Sequence, residues 1–325
     1  MLALAITGPT ASGKTALSLA LAEAIGAEII SCDSMQIYKY MDIGTAKATV
    51  EERERAPHHM IDFLSPMESY SAERYRADAL KCAEDITARG KIPLFVGGTG
   101  LYIDTVMRGA SADAPESSPE YREAMLKIAE REGGAHELWM RLCEVDPESA
   151  EKIHENNVKR VIRALEIFDT TGVPKSVLDR ESREDASDVR VGMITLDFHN
   201  RDNLYERANA RVDAMIAEGL IDEVSRMDEM GFLDGTTTAS QAIGYKELLP
   251  YVKGECTLDD ATEKLKLSTR RYAKRQLTWF RHETDAVRIY VDREDGQMKN
   301  FDEIRREIIS AAGEIINNHK CEGKA

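Results

Sequence analysis

Apolar positions in the first hundred residues follow two spacings. LALAIT (Leu2 to Thr7), AEIISCD (Ala27 to Asp33) and KIPLFVGG (Lys91 to Gly98) are short, nearly unbroken apolar runs, the pattern of strands covered on both faces. Between them, ALSLALAEAIG and SAERYRADALKCAEDITARG repeat their apolar positions at helical intervals. The first closes on Gly26; the second has Ser71 as its cap, Glu73 near the first turn and Gly90 at its end. Two more strand-like runs come late, VRVGMITLDF (Val189 to Phe198) and AVRIYVD (Ala286 to Asp292). Strands alternating with helices predict an α/β protein with a doubly wound parallel sheet.

The periodicity lapses in GASADAPESSPE (109–120), rich in Ala, Ser and Pro, and in the polar run DRESREDASD (179–188). Between them, YREAMLKIAERE and NNVKRVIRALEIFDTTG read as helices, and 202–230 is helical again. The expected division is a discontinuous core (1–108 and 189–315), a mainly helical insertion (109–188) and a flexible tail (316–325).

The chain has 325 residues, 42% hydrophobic and 31% charged, enough to bury a full core. No apolar run reaches the roughly 18 to 20 residues that span a bilayer. The first apolar run has no basic region before it and leads straight into a glycine loop, so neither a membrane anchor nor a signal peptide is expected. The five cysteines (Cys32, Cys82, Cys143, Cys256, Cys321) are scattered without paired ligand spacing. They read as reduced thiols of a cytoplasmic protein without a zinc site. No coiled-coil pattern is present, and a monomer is expected.

A formal charge of −15 argues against general affinity for nucleic acid, but its distribution changes that picture. KLKLSTRRYAKRQLTWFR (Lys264 to Arg281) carries seven Lys and Arg and no acid. On a helix, Lys264, Arg271, Lys274, Arg275 and Arg281 fall within an arc of roughly 120°, while Leu265, Tyr272, Ala273, Leu277, Trp279 and Phe280 lie mostly opposite. The helix packs one face and presents cations on the other. That cationic face is either an ordinary solvated surface or a row of charges along a polyphosphate backbone.

The chemistry starts at GPTASGKT, comprising Gly8, Pro9, Thr10, Ala11, Ser12, Gly13, Lys14 and Thr15. Strand, glycine loop and helix in this order make a phosphate cradle of backbone N–H groups at a helix N-terminus. The strand AEIISCD ends in Asp33, placed near that loop because ligand chemistry in open α/β sheets gathers at strand C-termini. Asp33 could join a metal sphere, act as a general base, or cap the next helix. Gln36 has an amide suited to an adenine edge. His58 and His59 imply no metal and read as structural.

Together GPTASGKT, ISCDSMQIYKYMDIGTAK (Ile30 to Lys47), VGGTGLYI, KRVIRALEIF, NLYERANARVDAM, QAIGYKE and KRQLTWFR resemble the tRNA dimethylallyltransferases, or tRNA isopentenyltransferases, over about Leu2 to Asp292. The resemblance implies that the loop holds the diphosphate of dimethylallyl diphosphate. The allyl group then goes to N6 of adenosine 37 in the anticodon stem-loop of tRNAs reading codons that begin with U. It implies Asp33 as the base, Thr15 as a Mg²⁺ ligand together with water and diphosphate, and Arg207, with Arg211 second, on the diphosphate. For tRNA it implies Asp33, Ser34, Met35, Gln36, Thr99, Arg122, Lys159, Arg160, Arg163, Gln241, Gly244, Tyr245, Lys246, Lys274, Arg275, Gln276, Trp279 and Arg281. The target base would leave its stack and enter a channel from the end opposite the diphosphate. Some relatives end in a zinc finger; here the tail offers only His319 and Cys321. Two rivals share the loop: a small-molecule kinase, and an RNA-binding NTPase that transfers no prenyl group.

Overall fold

The structure, a computed structural model, describes residues 1–108, 118–184 and 189–322. Most of the linking segment 109–120, the end of 179–188 and the last three residues of the expected tail lie outside the described residues. The chain separates into two compact units, Met1–Met107 with Asp188–Ala325, and Arg108–Ser187.

The first unit is built on one sheet of six parallel strands: β1 (Leu2–Thr7), β2 (Ala27–Cys32), β3 (His58–His59), β4 (Ile92–Gly97), β5 (Arg190–Asp197) and β6 (Val287–Tyr290). Their spatial order is β3-β2-β4-β1-β5-β6. This bears out the α/β parallel sheet expected from the apolar runs. Its helices are α1 (Lys14–Ile25), α2 (Val50–Arg55), α3 (Ala72–Ala88) and α4 (Gly100–Arg108). The second unit contributes α5 (Pro119–Ala129), α6 (Gly134–Val145), α7 (Pro147–Lys152), α8 (Val158–Thr171) and α9 (Lys175–Glu184). The first unit resumes with α10 (Arg201–Ala217), α11 (Leu220–Glu229), α12 (Tyr245–Val252), α13 (Leu258–Arg281) and α14 (Phe301–Glu322).

Alternation along β1 assigns the two faces of the sheet. Leu4 and Ile6 join Ile29, Leu94, Ile194 and Leu196 against Leu17 and Leu21 of α1 and Ile304 and Ile308 of α14. Ala3 and Ala5 face the other way, beneath Tyr75, Ala79, Ala83 and Ile86 of α3 and Tyr102 of α4. Small residues on that face leave room for Tyr75 and Tyr102, whose rings stack at 3.8 Å. Each fully buried Leu or Ile contributes about 1.5–3 kcal/mol.

A separate apolar cluster joins Ile37, Tyr38 and Met41 to α10, α11, α12 and Leu265 of α13. The long helix α13 bridges the two: Ala261 and Leu265 lie in this cluster, Ala273 and Leu277 in the sheet core. At 24 residues it is about 36 Å long. The second unit has its own core of Leu138, Leu142, Val161, Ile162 and Leu165.

One expectation is corrected. Residues after Ile315 do not fray from that point; α14 continues to Glu322, because Ile308, Ala311, Ala312, Ile315 and Ile316 keep helical spacing and pack on the sheet core. Among the described residues no helix is long and apolar enough to cross a membrane.

Candidate active site

The glycine loop follows β1 directly. Its backbone takes positive φ at Gly8 (140°), Ala11 (63°) and Gly13 (93°), and Lys14 starts α1. The first turn of α1 carries no acid, so its free amides and dipole face an anion unopposed. Lys14 Nζ donates to the Gly8 and Pro9 carbonyls at 3.0 and 2.7 Å. Burial, then the neighbouring Arg211 charge, push this amine down to about 7, with Asp33 acting in the opposite direction.

Two arginines one helical turn apart on α10 reach the same place. Arg207 Nε donates to the Ala11 carbonyl at 2.7 Å, which fixes its guanidinium beside the loop. Arg211 lines the space in front of Lys14. Burial lowers the pKa of both guanidinium groups, so an anion arriving there meets cations already stripped of water.

The sheet register brings Asp33 to this loop. Cys32 and Thr7 both pair with Gly97 of β4, from opposite sides, so Asp33 and Gly8 leave their strands at the same level. Asp33 Oδ1 accepts the Met35 amide at 2.8 Å and the Gln36 amide at 3.4 Å. Asp33 caps no helix, since the next one, α2, starts only at Val50; one of its oxygens caps a turn instead.

Two cavities meet at Asp33. The first, about 310 Å³, is walled by the glycine loop with Lys14, Thr15 and Gly98. The second, about 280 Å³, has an apolar wall of Met35, Val212, Met215, Ile243 and Leu265 and is edged by Gln241, Lys246 and Arg275. Thr10, Asp33, Thr45, Arg211 and Tyr272 line both. An anion site and an apolar site with a cationic edge thus share one carboxylate.

The other residues singled out in the sequence separate into groups. Met35, Gln241, Gly244, Lys246 and Arg275 line the second cavity, with Ser34 beside them. Lys274 is exposed on α13, as are Lys264 and Arg271. Thr99 Oγ1 accepts the Ser34 amide at 3.1 Å and so acts on the turn after Asp33. Trp279 is half-buried against Gly100, where a Cβ would come within 2.4 Å of its indole.

Several expectations change. Gln36 has its amide engaged within the protein: Oε1 accepts the Ser31 hydroxyl at 2.9 Å, and Nε2 donates to the Thr45 and Ala46 carbonyls at 3.2 Å each. Tyr245, expected at the tRNA, is fully buried, and its hydroxyl donates to Glu223 at 2.6 Å. Gln276 is 6% exposed and spends its amide inside the protein. Arg281 is paired with the buried Asp197 at 2.8 Å and donates to the Phe198 carbonyl, which removes it from the row of free cations. Among the described residues, Ser12 Oγ is buried with no hydrogen-bond partner.

In the second unit, Arg122 and Arg163 both grip the buried Glu166 carboxylate, at 3.1 and 2.8 Å. Lys159 and Arg160 are exposed on α8. Sequence reasoning missed Tyr272 and Thr45 as lining residues. Tyr272 sits in the apolar arc of α13, and spacing alone does not say that part of this arc faces a cavity. Its phenol is pushed up by burial first and by the Asp33 charge second.

Fold and site together define an α/β protein in which a glycine loop with three cations shares an acid with a second, largely apolar cavity. The family model for IPP transferase matches residues 36–283, and that for isopentenyl transferase matches residues 1–62. The chain belongs to the IPP transferase family. It is 44% identical over 313 residues to the tRNA dimethylallyltransferase of Thermoanaerobacter sp. (strain X514), covering 96% of this chain and 98% of the relative. It is 49% identical over 301 residues to that of Shouchella clausii, covering 92% and 94%. Among solved structures it resembles the full-length tRNA isopentenylpyrophosphate transferase from Bacillus halodurans, with TM-score 0.71, 40% identity and 99% of each chain covered. A eukaryotic dimethylallyltransferase acting on tRNA matches with TM-score 0.71 and 30% identity, over 89% of this chain and 73% of that one. The family resemblance read from the motifs is borne out.

Proposed function

We propose that this chain transfers the dimethylallyl group of dimethylallyl diphosphate to N6 of adenosine 37 in tRNAs reading codons that begin with U. The observation that carries this reading is the meeting of the two cavities at Asp33. The donor diphosphate occupies the first cavity, held by the loop amides, Lys14, Arg207 and Arg211. The extruded adenine enters the second, its backbone near Lys246 and Arg275.

At the junction the allylic C1–O bond breaks and its electron pair leaves with the diphosphate. The N6 lone pair forms the new C1–N bond, and the N6 proton passes to the Asp33 carboxylate. Fixed donors around the departing oxygens stabilise charge where it develops. A base aligned on a weakly nucleophilic exocyclic amine contributes about 10²- to 10⁴-fold.

Mg²⁺ fits this site through its donor set. Among the described residues no group of three or more His, Cys, Asp or Glu is placed to hold a metal. Mg²⁺ takes mostly water and phosphate oxygens with one or two protein ligands, and Thr15, lining the first cavity, would supply one. The bound ion would neutralise charge on the diphosphate.

The test is incubation with labelled dimethylallyl diphosphate, labelled ATP and unmodified tRNA, followed by nucleoside analysis. N6-dimethylallyladenosine at position 37 supports the reading. Transfer of the ATP terminal phosphoryl group without prenylation assigns the chain to the kinase alternative, and ATP hydrolysis alone to the NTPase.

A further inference from the structure

Glu223 of α11 lines neither of the two cavities, yet its carboxylate organises one of them. The residue is 3% exposed. Oε2 accepts the backbone amides of Asp42 and Ile43 at 3.1 and 2.9 Å, and Oε1 accepts the Gly44 amide at 3.0 Å and the Tyr245 hydroxyl at 2.6 Å. Three successive amides converging on one anion form a nest, a concave backbone conformation that an anion stabilises. Here the anion is part of the chain. All four partners are neutral donors, and a buried carboxylate left without them would be costly. The loop and the glutamate therefore hold each other in place.

The clamp reaches both walls of the second cavity. Gly44 and Thr45 line it on one side; Gly244 and Lys246, flanking Tyr245, line it on the other. Gly44 lies so close to the Tyr245 ring that a Cβ there would be 2.6 Å from a ring carbon. Burial, then the Glu223 charge, hold the Tyr245 hydroxyl well above its ordinary range, so it stays a donor. The same loop continues to the Thr45 and Ala46 carbonyls that hold the side-chain amide of Gln36, whose backbone N–H is itself accepted by Asp33.

We propose that Glu223 is a positioning residue for the acceptor: a built-in anion that fixes the 42–46 loop, ties it through Tyr245 to 244–246, and so sets the opening through which the RNA base enters. This rests on the proposed prenyl transfer to tRNA. It acts through Gly44, Thr45 and Tyr245 and touches neither substrate.

The full chain tests it as wild type, Glu223→Gln and Tyr245→Phe. Glu223→Gln keeps the volume but turns an NH₂ group toward an amide donor; Tyr245→Phe removes one of the four bonds and keeps the ring. The measurements are kcat and KM for tRNA, and the dissociation constant of a non-hydrolysable thiolodiphosphate analogue of the donor. Glu223→Gln should raise the tRNA KM about tenfold or more, and Tyr245→Phe about threefold, with analogue affinity within twofold of wild type. An unchanged tRNA KM in either variant, or a parallel loss of analogue affinity, overturns the proposal. Should Glu223→Gln fail to fold, Tyr245→Phe alone decides by the same criteria. Absence of prenyl transfer by the wild type would instead sink the functional reading, and this proposal with it.

Discussion

The side chain of Gln276 accepts the Thr10 amide at 2.8 Å and donates to the Gly98 carbonyl at 2.9 Å. One amide on α13 thus pins the glycine loop to the turn after β4. The approach is tight: a Cβ at Gly98 would lie 2.1 Å from Gln276 Nε2. Gln276→Ala leaves the buried Gly98 carbonyl without this donor and frees the loop, a loss of about 1–3 kcal/mol. We expect the donor KM to rise several-fold and the melting temperature to fall by roughly 2–8 °C, read by steady-state kinetics and scanning fluorimetry. An unchanged donor KM would show that the loop holds its shape alone.

Arg281 separates structural from RNA-binding cations on α13. Its partner Asp197 is 1% exposed, and removing one member of such a pair strands the other charge. Arg281→Ala should cost about 3–5 kcal/mol of stability, while leaving the salt dependence of tRNA binding as in wild type. A reduced salt slope with unchanged stability would return Arg281 to the RNA surface.

For the exposed cations the opposite holds. Arg271→Ala with Lys274→Ala should weaken tRNA binding while stability changes little. Each lost phosphate contact should lower the slope of log K against log salt by roughly 0.7–0.9, measured by fluorescence anisotropy at several ionic strengths. An unaltered slope would exclude this helix face as a backbone contact.

Lys14 supplies a pH signature. With the amine pushed down to about 7 by burial and Arg211, it is mostly neutral at pH 8 in the free protein. A diphosphate in contact with it favours the charged form, so donor binding at pH 8 draws in close to one proton, and affinity declines as pH rises above 7. Calorimetry in two buffers of different ionisation enthalpy measures that uptake, which Lys14→Met should abolish. Wild-type binding with no proton uptake at pH 8 would contradict the assignment.

Much of the fold was legible because parallel strands buried on both faces are continuous apolar runs, and β1, β2, β4, β5 and β6 fall on the five runs read from the sequence. β3 was not legible: two residues, His58 and His59, carry no periodicity. The end of α14 was misread because polar residues mask the helical spacing of Ile308, Ala311, Ile315 and Ile316. At the site, the loop and Asp33 could be placed from strand order alone. Side chains with long-range partners could not: Gln276 reaches back to Thr10, and Arg281 to Asp197, 84 positions earlier. Sequence shows that a group can donate or accept, whereas burial decides which partner takes it.

The most direct measurement is single-turnover prenyl transfer by Asp33→Asn. Asparagine keeps the side-chain oxygen that accepts the Met35 and Gln36 amides, so the turn survives while the proton acceptor is lost. Transfer should slow by about 10²- to 10⁴-fold, with tRNA and donor dissociation constants within roughly threefold of wild type. A variant that transfers the dimethylallyl group at near wild-type rate would contradict the account, because the carboxylate shared by the two cavities would then have no part in the chemistry.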